Sequence, residues 1–140
     1  MVRYNNHMED PISAQKICSA KYPDLTFKIG QRFSFKPPQT ITLGPKEPFY
    51  SLLVLHELGH ALCKHNNFVT HVKRLIIERE AWDKARDLSQ EFGIKFNEDF
   101  AESQLDTYRD WLHSKSKCKK CGLTRYQTDD GRYHCPYCDI

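Results

Sequence analysis

The sequence has no long hydrophobic run and no apolar segment at its start. Its longest apolar stretch lies around residues 49–63 and is interrupted by polar and charged side chains, whereas a membrane-spanning helix needs about 20 apolar residues. The first seven residues, MVRYNNH, lack the apolar core of a signal peptide. From these two absences we expect a cytoplasmic protein without a membrane span. In the cytoplasm its six cysteines should be thiols or metal ligands rather than disulfides.

A strong excess of charge of one sign is also missing. The formal net charge is +3, and all of this excess lies in residues 114–140, where six basic side chains accompany three acidic ones. If four cysteine thiolates in that segment bind one zinc ion, the cluster contributes about −2 and the segment falls to about +1. This small balance argues against a strongly basic surface for nucleic acid.

What the sequence does contain is the pattern HELGH at residues 56–60. Residues four apart lie on the same face of a helix, so His56 and His60 can direct their rings at one metal ion. Glu57 lies beside this pair, where it can take a proton from water and pass it to a leaving amine. The pattern is the HExxH signature of zinc peptidases, and it predicts His56 and His60 as zinc ligands and Glu57 as the general base.

The helix that carries this pattern is apolar nearly all round, because FYSLLVL precedes the first histidine and ALC follows the second. A helix of this kind is buried. Two buried histidines and a buried glutamate need partners, and a bound metal supplies them. The alternative, a core helix that carries two histidines by chance, leaves these polar groups unexplained.

A catalytic zinc of this kind needs a third protein ligand and keeps its fourth position for water. A third histidine at the metzincin spacing would be residue 66, which is Asn66, so that class is excluded. In the next helix Glu78 lies roughly 40° from the centre of the apolar face and Glu80 roughly 120° from it. Glu78 is therefore the predicted third ligand and Glu80 a surface charge. His71 is the main competitor and His65 a weaker one, although both read more simply as exposed loop residues.

The rest of the chain predicts an α+β fold, a small three-stranded sheet packed on zincin-type helices. Asp10 caps a first helix that Pro11 begins. Residues 25–29 and 32–36 alternate in the manner of a hairpin, residues 40–43 form a third strand, and helices follow at about 49–65, 72–92 and 97–113. At 140 residues there is room for one compact domain and a small appendage, which we place at residues 1–113 and 114–140.

The appendage contains two C-x-x-C pairs separated by 13 residues, and a DDG turn lies between them. Four thiolates so spaced complete a tetrahedron around one structural zinc ion. The pattern predicts a zinc ribbon whose ligands are Cys118, Cys121, Cys135 and Cys138. Two kinds of partner stay open for it: nucleic acid, held by its lysines and tyrosines, or protein, either a substrate or the catalytic domain that it braces. Protein contact or bracing is slightly favoured.

The segments HELGHAL at residues 56–62 and EREAW at residues 78–82 resemble the ImmA/IrrE family of small zinc metallopeptidases. The resemblance implies ligand roles for His56, His60 and Glu78, the general base role for Glu57, and a close approach of two helices at Ala81. It also implies that residues 40–43 form an edge strand along the cleft, to which an extended substrate could add. Trp82 departs from the family pattern, since many relatives carry Asp or Asn there to orient a ligand.

Family members cleave specific partner proteins, typically repressors, so the sequence predicts a zinc endopeptidase with a protein substrate. Its oxyanion donor stays open among Tyr50, His71, Tyr108 and His113. Two alternatives remain. A SprT-like peptidase acting on DNA-bound proteins would use a histidine such as His71 as third ligand, whereas a non-catalytic interaction module would keep zinc for structure alone.

Overall fold

The computed structural model describes residues 8–139, which form four helices, a three-stranded sheet and a two-stranded C-terminal hairpin. The α+β class predicted from the sequence is confirmed. No helix in this range is both long enough and apolar enough to cross a bilayer. In chain order the elements are α1 (Pro11–Lys21), β1 (Thr26–Ile29), β2 (Ser34–Lys36), β3 (Thr40–Leu43), α2 (Tyr50–Leu62), α3 (His71–Phe92), α4 (Glu98–Ser116), β4 (Tyr126–Gln127) and β5 (Tyr133–His134).

The first helix begins where the sequence predicts. The Asp10 carboxylate accepts a hydrogen bond of 2.8 Å from the backbone N–H of Ser13, and Pro11 occupies the first helical position. An N-cap of this kind satisfies one of the free N–H groups at the helix start. The other helices lie close to their predicted positions, although α4 continues to Ser116, three residues beyond its predicted end.

The sheet contains the three predicted strands but pairs them differently. β3 lies in the centre, parallel to β1 and antiparallel to β2, so the order is β1-β3-β2. The predicted hairpin of residues 25–36 is therefore wrong, and so is the expectation that residues 40–43 form an edge strand. Ile41 and Leu43 are fully buried, which explains why β3 takes the central position. Alternation of apolar and polar residues identifies a strand, but it does not determine which strands pair with it.

Helix α2 is buried from Tyr50 to Ala61, as its apolar sequence predicts. It lies against α3 at Gly59, where an added Cβ would overlap the backbone carbonyl of Ala81. Two small residues thus let the helix backbones approach closely. The fully buried core around this contact includes Val54, Leu55, Leu58 and Trp82.

The described chain divides into two compact units, and the division falls inside α3, between Arg79 and Glu80. The first unit contains α1, the three-stranded sheet, α2 and the C-terminal half of α3. The second contains the N-terminal turns of α3, most of α4 and the C-terminal hairpin. Helix α3 is continuous across the division, so it belongs to both units.

Candidate metal centres

The two histidines of the HELGH pattern face each other on α2. Their Nε2 atoms are 3.2 Å apart, and both side chains are buried. Two nitrogens that bind one tetrahedral zinc ion, each at about 2.0–2.1 Å, lie roughly 3.3 Å apart. The spacing of these two nitrogens therefore fits a shared zinc ion.

Glu78 completes a group of three possible ligands with His56 and His60. One ligand atom from each residue lies within 4.8 Å of the other two, and all three residues are buried. Burying an uncompensated carboxylate costs several kcal/mol, so a metal ion or hydrogen bonds must balance the charge of Glu78. The group is compatible with zinc and leaves a fourth tetrahedral position open.

The position of Glu78 follows from the continuity of α3. Trp82, one helical turn later, stacks on the His56 ring with centroids 4.4 Å apart and an interplanar angle of 25°. Gly59 and Ala81 fix the same turn of α3 against α2. Since residues four apart share a helix face, the packing that brings Trp82 to His56 also directs Glu78 towards the histidines.

The predicted general base, Glu57, follows His56 on α2 and is 8% exposed. A carboxylate is one of the side-chain groups that general-base catalysis uses. The catalytic role of Glu57 stays a prediction.

Aromatic rings pack against both histidines. Phe35 of β2 lies parallel to the His60 ring, with an interplanar angle of 2° and centroids 6.1 Å apart, while Trp82 covers His56. Trp82 therefore restrains a predicted ligand by stacking, where the family pattern would use the hydrogen bond of an Asp or Asn side chain. This packing limits the rotation of the imidazoles and so preorganises them for a metal ion.

Tyr108 of α4 interacts with Glu78. Burial and the negative charge of Glu78 together raise the pKa of Tyr108 to about 12, while Arg74 acts in the opposite direction. The guanidinium of Arg74 lies over the Tyr108 ring, with 5.2 Å between its carbon and the ring centroid. The Tyr108 hydroxyl thus keeps its proton and donates a hydrogen bond to the Glu78 carboxylate, an interaction that orients a predicted ligand.

The other candidates for the oxyanion donor lie elsewhere. Tyr50 donates a hydrogen bond of 2.8 Å to the carbonyl of Gly44, and His113 is exposed near the end of α4. Nδ1 of His71 lies 2.6 Å from the Tyr133 hydroxyl, and its ring contacts Trp111. Of these four residues, Tyr108 is the one for which the structure gives a contact with a predicted zinc ligand.

The two histidines that competed with Glu78 have different surroundings from those predicted. His71 begins α3, and its backbone N–H donates a hydrogen bond of 2.6 Å to the Gln127 side chain of the C-terminal hairpin. His65 follows α2, and its side chain is only 9% exposed. Neither is an exposed loop residue, and the group of ligand atoms found in the described chain contains Glu78 rather than either histidine. The sequence carries no local pattern that marks these contacts.

The four cysteines of the two C-x-x-C pairs also converge. Their sulfur atoms lie within 4.8 Å of one another, with 4.0 Å between Cys118 and Cys138 and 3.5 Å between Cys121 and Cys135. Thiolates that bind one zinc ion at about 2.3 Å in a tetrahedron are roughly 3.8 Å apart. The cysteine cluster (Cys118, Cys121, Cys135, Cys138) is therefore compatible with zinc and with the predicted ribbon.

The thiols of the cluster differ in acidity. Hydrogen bonds from the backbone N–H groups of Cys121 and Lys120 lower the pKa of Cys118 to about 6. Partial loss of water around its sulfur, together with the neighbouring thiols, raises the pKa of Cys138 to about 12. Four thiolates this close repel one another, so a bound cation is what would allow all of them to ionise.

The C-terminal hairpin packs on the start of α3. Its Gln127 and Tyr133 hold His71, and a Cβ at Gly131, where φ is +86°, would lie 3.3 Å from the carbonyl oxygen of Val69. The guanidinium of Arg125 lies over the Tyr133 ring and donates a hydrogen bond to the carbonyl of Lys115. The hairpin thus supports the helix that carries Glu78.

A basic cavity lies beside the cysteine cluster. Its volume is about 580 Å³, and four lysines and an arginine line it: Lys115, Lys117, Lys119, Lys120 and Arg125. Arg125 lies over the ring of Tyr133 and His71 contacts its hydroxyl, so this tyrosine already has partners within the chain. A nucleic-acid or protein partner for this region stays a prediction.

Comparisons of this chain with protein-family models, with curated proteins and with solved structures find no match. The two candidate metal groups therefore stand on their own geometry, and the resemblance to ImmA/IrrE peptidases rests on the residues of this sequence.

Proposed function

We propose that this chain is a zinc-dependent endopeptidase of the ImmA/IrrE type that hydrolyses peptide bonds of a protein substrate. The observation that carries the proposal is the convergence of His56, His60 and Glu78, two nitrogens and one carboxylate, in a buried group. Three protein ligands are the number that catalytic zinc sites use, whereas structural sites use four.

The residues around this group have the properties that peptide hydrolysis requires. A zinc ion held there would supply Lewis acidity, polarising a carbonyl and lowering the pKa of water towards about 7. Glu57 would accept the proton of the attacking water and deliver it to the leaving amine, a role worth typically 10²–10⁴-fold in rate. Tyr108 would hold Glu78 through its hydroxyl, and Trp82 would restrain His56.

The sheet order suggests where a substrate would bind. β3 is central, whereas β2 lies at an edge of the sheet. Phe35 of β2 stacks on the ring of His60. An extended peptide that adds to the β2 edge would gain backbone hydrogen bonds. In the proposed complex the substrate runs along Ser34–Lys36.

The SprT-like alternative has less support. It needs a histidine as the third ligand, and the ring of its candidate, His71, is engaged by Tyr133 and Trp111. A non-catalytic zinc module would have no use for a buried carboxylate at Glu57. The presence of Glu78 in the group of possible ligands favours the ImmA/IrrE-type endopeptidase over both alternatives.

The catalytic proposal is tested by comparing wild type with Glu57→Gln, which keeps the size of the side chain and removes its basicity. Each zinc-loaded protein is incubated with a bacterial proteome, and new protein N-termini are identified by mass spectrometry. We expect specific cleavages in the wild type that are at least 100-fold weaker with the variant, while both proteins hold two zinc ions. Equal cleavage by Glu57→Gln would overturn the mechanism.

The ligand set is tested by counting zinc per chain. Elemental analysis of wild type, Glu78→Ala and His71→Ala should give two, one and two ions. A single ion in wild type would remove the metal from the catalytic proposal, and loss only in His71→Ala would favour the SprT-like alternative.

A further inference from the structure

The end of helix α2 brings a third histidine back onto the metal group. The backbone N–H of His65 donates a hydrogen bond of 3.0 Å to the carbonyl of His60, and the N–H of Lys64 donates one of 3.1 Å to Ala61. Lys64 lies in the left-handed region, with φ of 56°. This is the Schellman pattern of helix termination, in which the second residue beyond the cap folds back over the last turn.

In that pattern the returning residue usually makes an apolar contact with the last turn. Here both partners are histidines. Nδ1 of His65 lies 3.0 Å from Nδ1 of His60, and the ring centroids are 5.1 Å apart. The His60 ring thus directs Nε2 towards His56 and Nδ1 towards His65.

Zinc binding at His60 would determine the protons on both rings. If Nε2 of His60 holds zinc, the proton of this neutral ring is on Nδ1, and Nδ1–H donates to His65. Nδ1 of His65 must then accept, which places the His65 proton on Nε2. That atom lies 3.6 Å from a carboxylate oxygen of Glu80, whose negative charge favours a proton on this side. One tautomer of each ring therefore pairs the two Nδ1 atoms as donor and acceptor and directs the His65 proton towards the charge of Glu80, at a distance longer than a hydrogen bond.

We propose that His65 is the positioning residue of the zinc site: it holds His60 in the tautomer that binds zinc through Nε2, and Glu80 orients His65 in turn. The inference rests on the proposed zinc site. It assigns to His65 and Glu80 the support that an Asp or Asn at position 82 would give in the family pattern. Glu80, half exposed and predicted to be a surface charge, gains a role from its contact with His65.

The test measures zinc affinity of the full chain in metal-buffered solution for wild type, His65→Ala and His65→Gln. Gln can accept from His60 and donate towards Glu80, but it is a poor zinc ligand. We expect His65→Ala to weaken zinc binding at the histidine group 10–100-fold, which is the usual effect of losing the hydrogen-bond partner of a metal-binding histidine. His65→Gln should restore most of the affinity. The zinc ion of the cysteine cluster serves as the internal reference.

A second readout follows the His60 proton itself. In nitrogen-15 NMR spectra of the zinc-loaded protein we expect a protected Nδ1–H signal for His60, lost in His65→Ala and present in His65→Gln. Glu80→Gln should weaken zinc binding less than His65→Ala does. His113→Ala, which removes an exposed histidine from α4, is the matched control and should leave the affinity unchanged.

The outcomes separate the inference from the proposed function. Wild-type affinity in His65→Ala would overturn the positioning role, while two bound zinc ions would still support the peptidase. Affinity as low in His65→Gln as in His65→Ala would show that a hydrogen-bonding side chain at this position does not support zinc binding, and would overturn the inference. A single zinc ion in wild type would remove the site itself. If His65→Ala fails to fold, the NMR signal in wild type and His65→Gln decides: an unprotected Nδ1–H contradicts the proposal.

Discussion

The two candidate metal groups differ in how the chain builds them. The cysteine cluster draws four ligands from residues 118–138, and both of its pairs are C-x-x-C turns. The histidine group draws two ligands from α2 and a third from α3, 18 residues beyond His60. The cluster is thus determined by local sequence, whereas the histidine group depends on the packing of two helices.

They also differ in the number and kind of ligand. Four thiolates close the coordination of a zinc ion, so the cluster has the chemistry of a structural site. Two imidazoles and a carboxylate leave one tetrahedral position open, which the catalytic site that we propose requires. Burial follows the same division, because all three residues of the histidine group are buried while Cys138 of the cluster is exposed. A site that folds a small hairpin can remain near the surface, but a site that polarises a substrate benefits from low dielectric surroundings.

Removing one ligand of the cysteine cluster should have the largest effect on structure and zinc content. Cys135→Ser removes a buried ligand, and structural zinc supplies about 10–16 kcal/mol of apparent binding energy in small zinc-finger peptides. We expect loss of one zinc ion per chain and fast amide exchange throughout residues 117–139, since the hairpin is too small to fold without metal. Elemental analysis and hydrogen exchange measure this. Persistent protection of the hairpin amides would show that packing, rather than zinc, folds this segment.

A smaller effect should come from separating the two helices. In Gly59→Ala the new Cβ overlaps the Ala81 carbonyl, so α2 and α3 must shift, at a cost of about 1–3 kcal/mol. We expect lower unfolding free energy in denaturant and weaker zinc binding at the histidine group, with the cluster unaffected. The double variant Gly59→Ala, Ala81→Gly should not recover, because the obstacle is backbone rather than side chain. Recovery would show that the helices contact through the Ala81 methyl group.

At the end of α2, one substitution should increase the stability of the folded protein. Lys64 has a positive φ, which costs a residue with a side chain roughly 1 kcal/mol relative to glycine. Lys64→Gly should therefore be more stable than Lys64→Ala by about this amount in chemical denaturation. The alanine control accounts for the lost lysine charge at the helix end. Equal stability of the two variants would contradict the left-handed conformation on which the return of His65 depends.

The smallest effect concerns pH. Burial, with Lys115 and Arg74 adding to it, lowers the pKa of His71 below its usual 6.5. The unfolded chain therefore binds this proton at higher pH than the folded chain does. The contribution of His71 to stability is complete above about pH 6.5 and is lost as the pH falls towards the folded pKa. An NMR titration of the zinc-loaded protein should give a His71 midpoint below 6.5, and a midpoint above it would contradict the burial of this ring beside Tyr133.

The sequence predicts those features of the structure that depend on neighbouring residues. Asp10 and Pro11 mark the start of α1, and the apolar run around the HELGH pattern marks a buried helix; the structure confirms both. The phase of α3 distinguishes Glu78 from Glu80 because helical geometry determines which side chains share a face. Peptidase activity and the role of Glu57 stay predictions.

Other features depend on partners distant in sequence, and these predictions were wrong or absent. β3 is central because its side chains are the most buried of the sheet, yet alternation alone led to a hairpin between the first two strands. The contact of His71 with Tyr133 spans 62 residues. Nothing in either local segment marks such a contact, since it forms only when the hairpin packs on α3.

The sequence by itself therefore determined the helices, the α+β class and both sets of potential zinc ligands, because spacing along a helix or a turn places side chains with little help from the rest of the chain. Only the tertiary structure decided the sheet order, the close approach of Gly59 to Ala81, and the partners of the histidines outside the HELGH pattern. The physical reason is that ligand spacing is a property of local backbone geometry, whereas the orientation of each ligand depends on neighbours that folding brings from other elements.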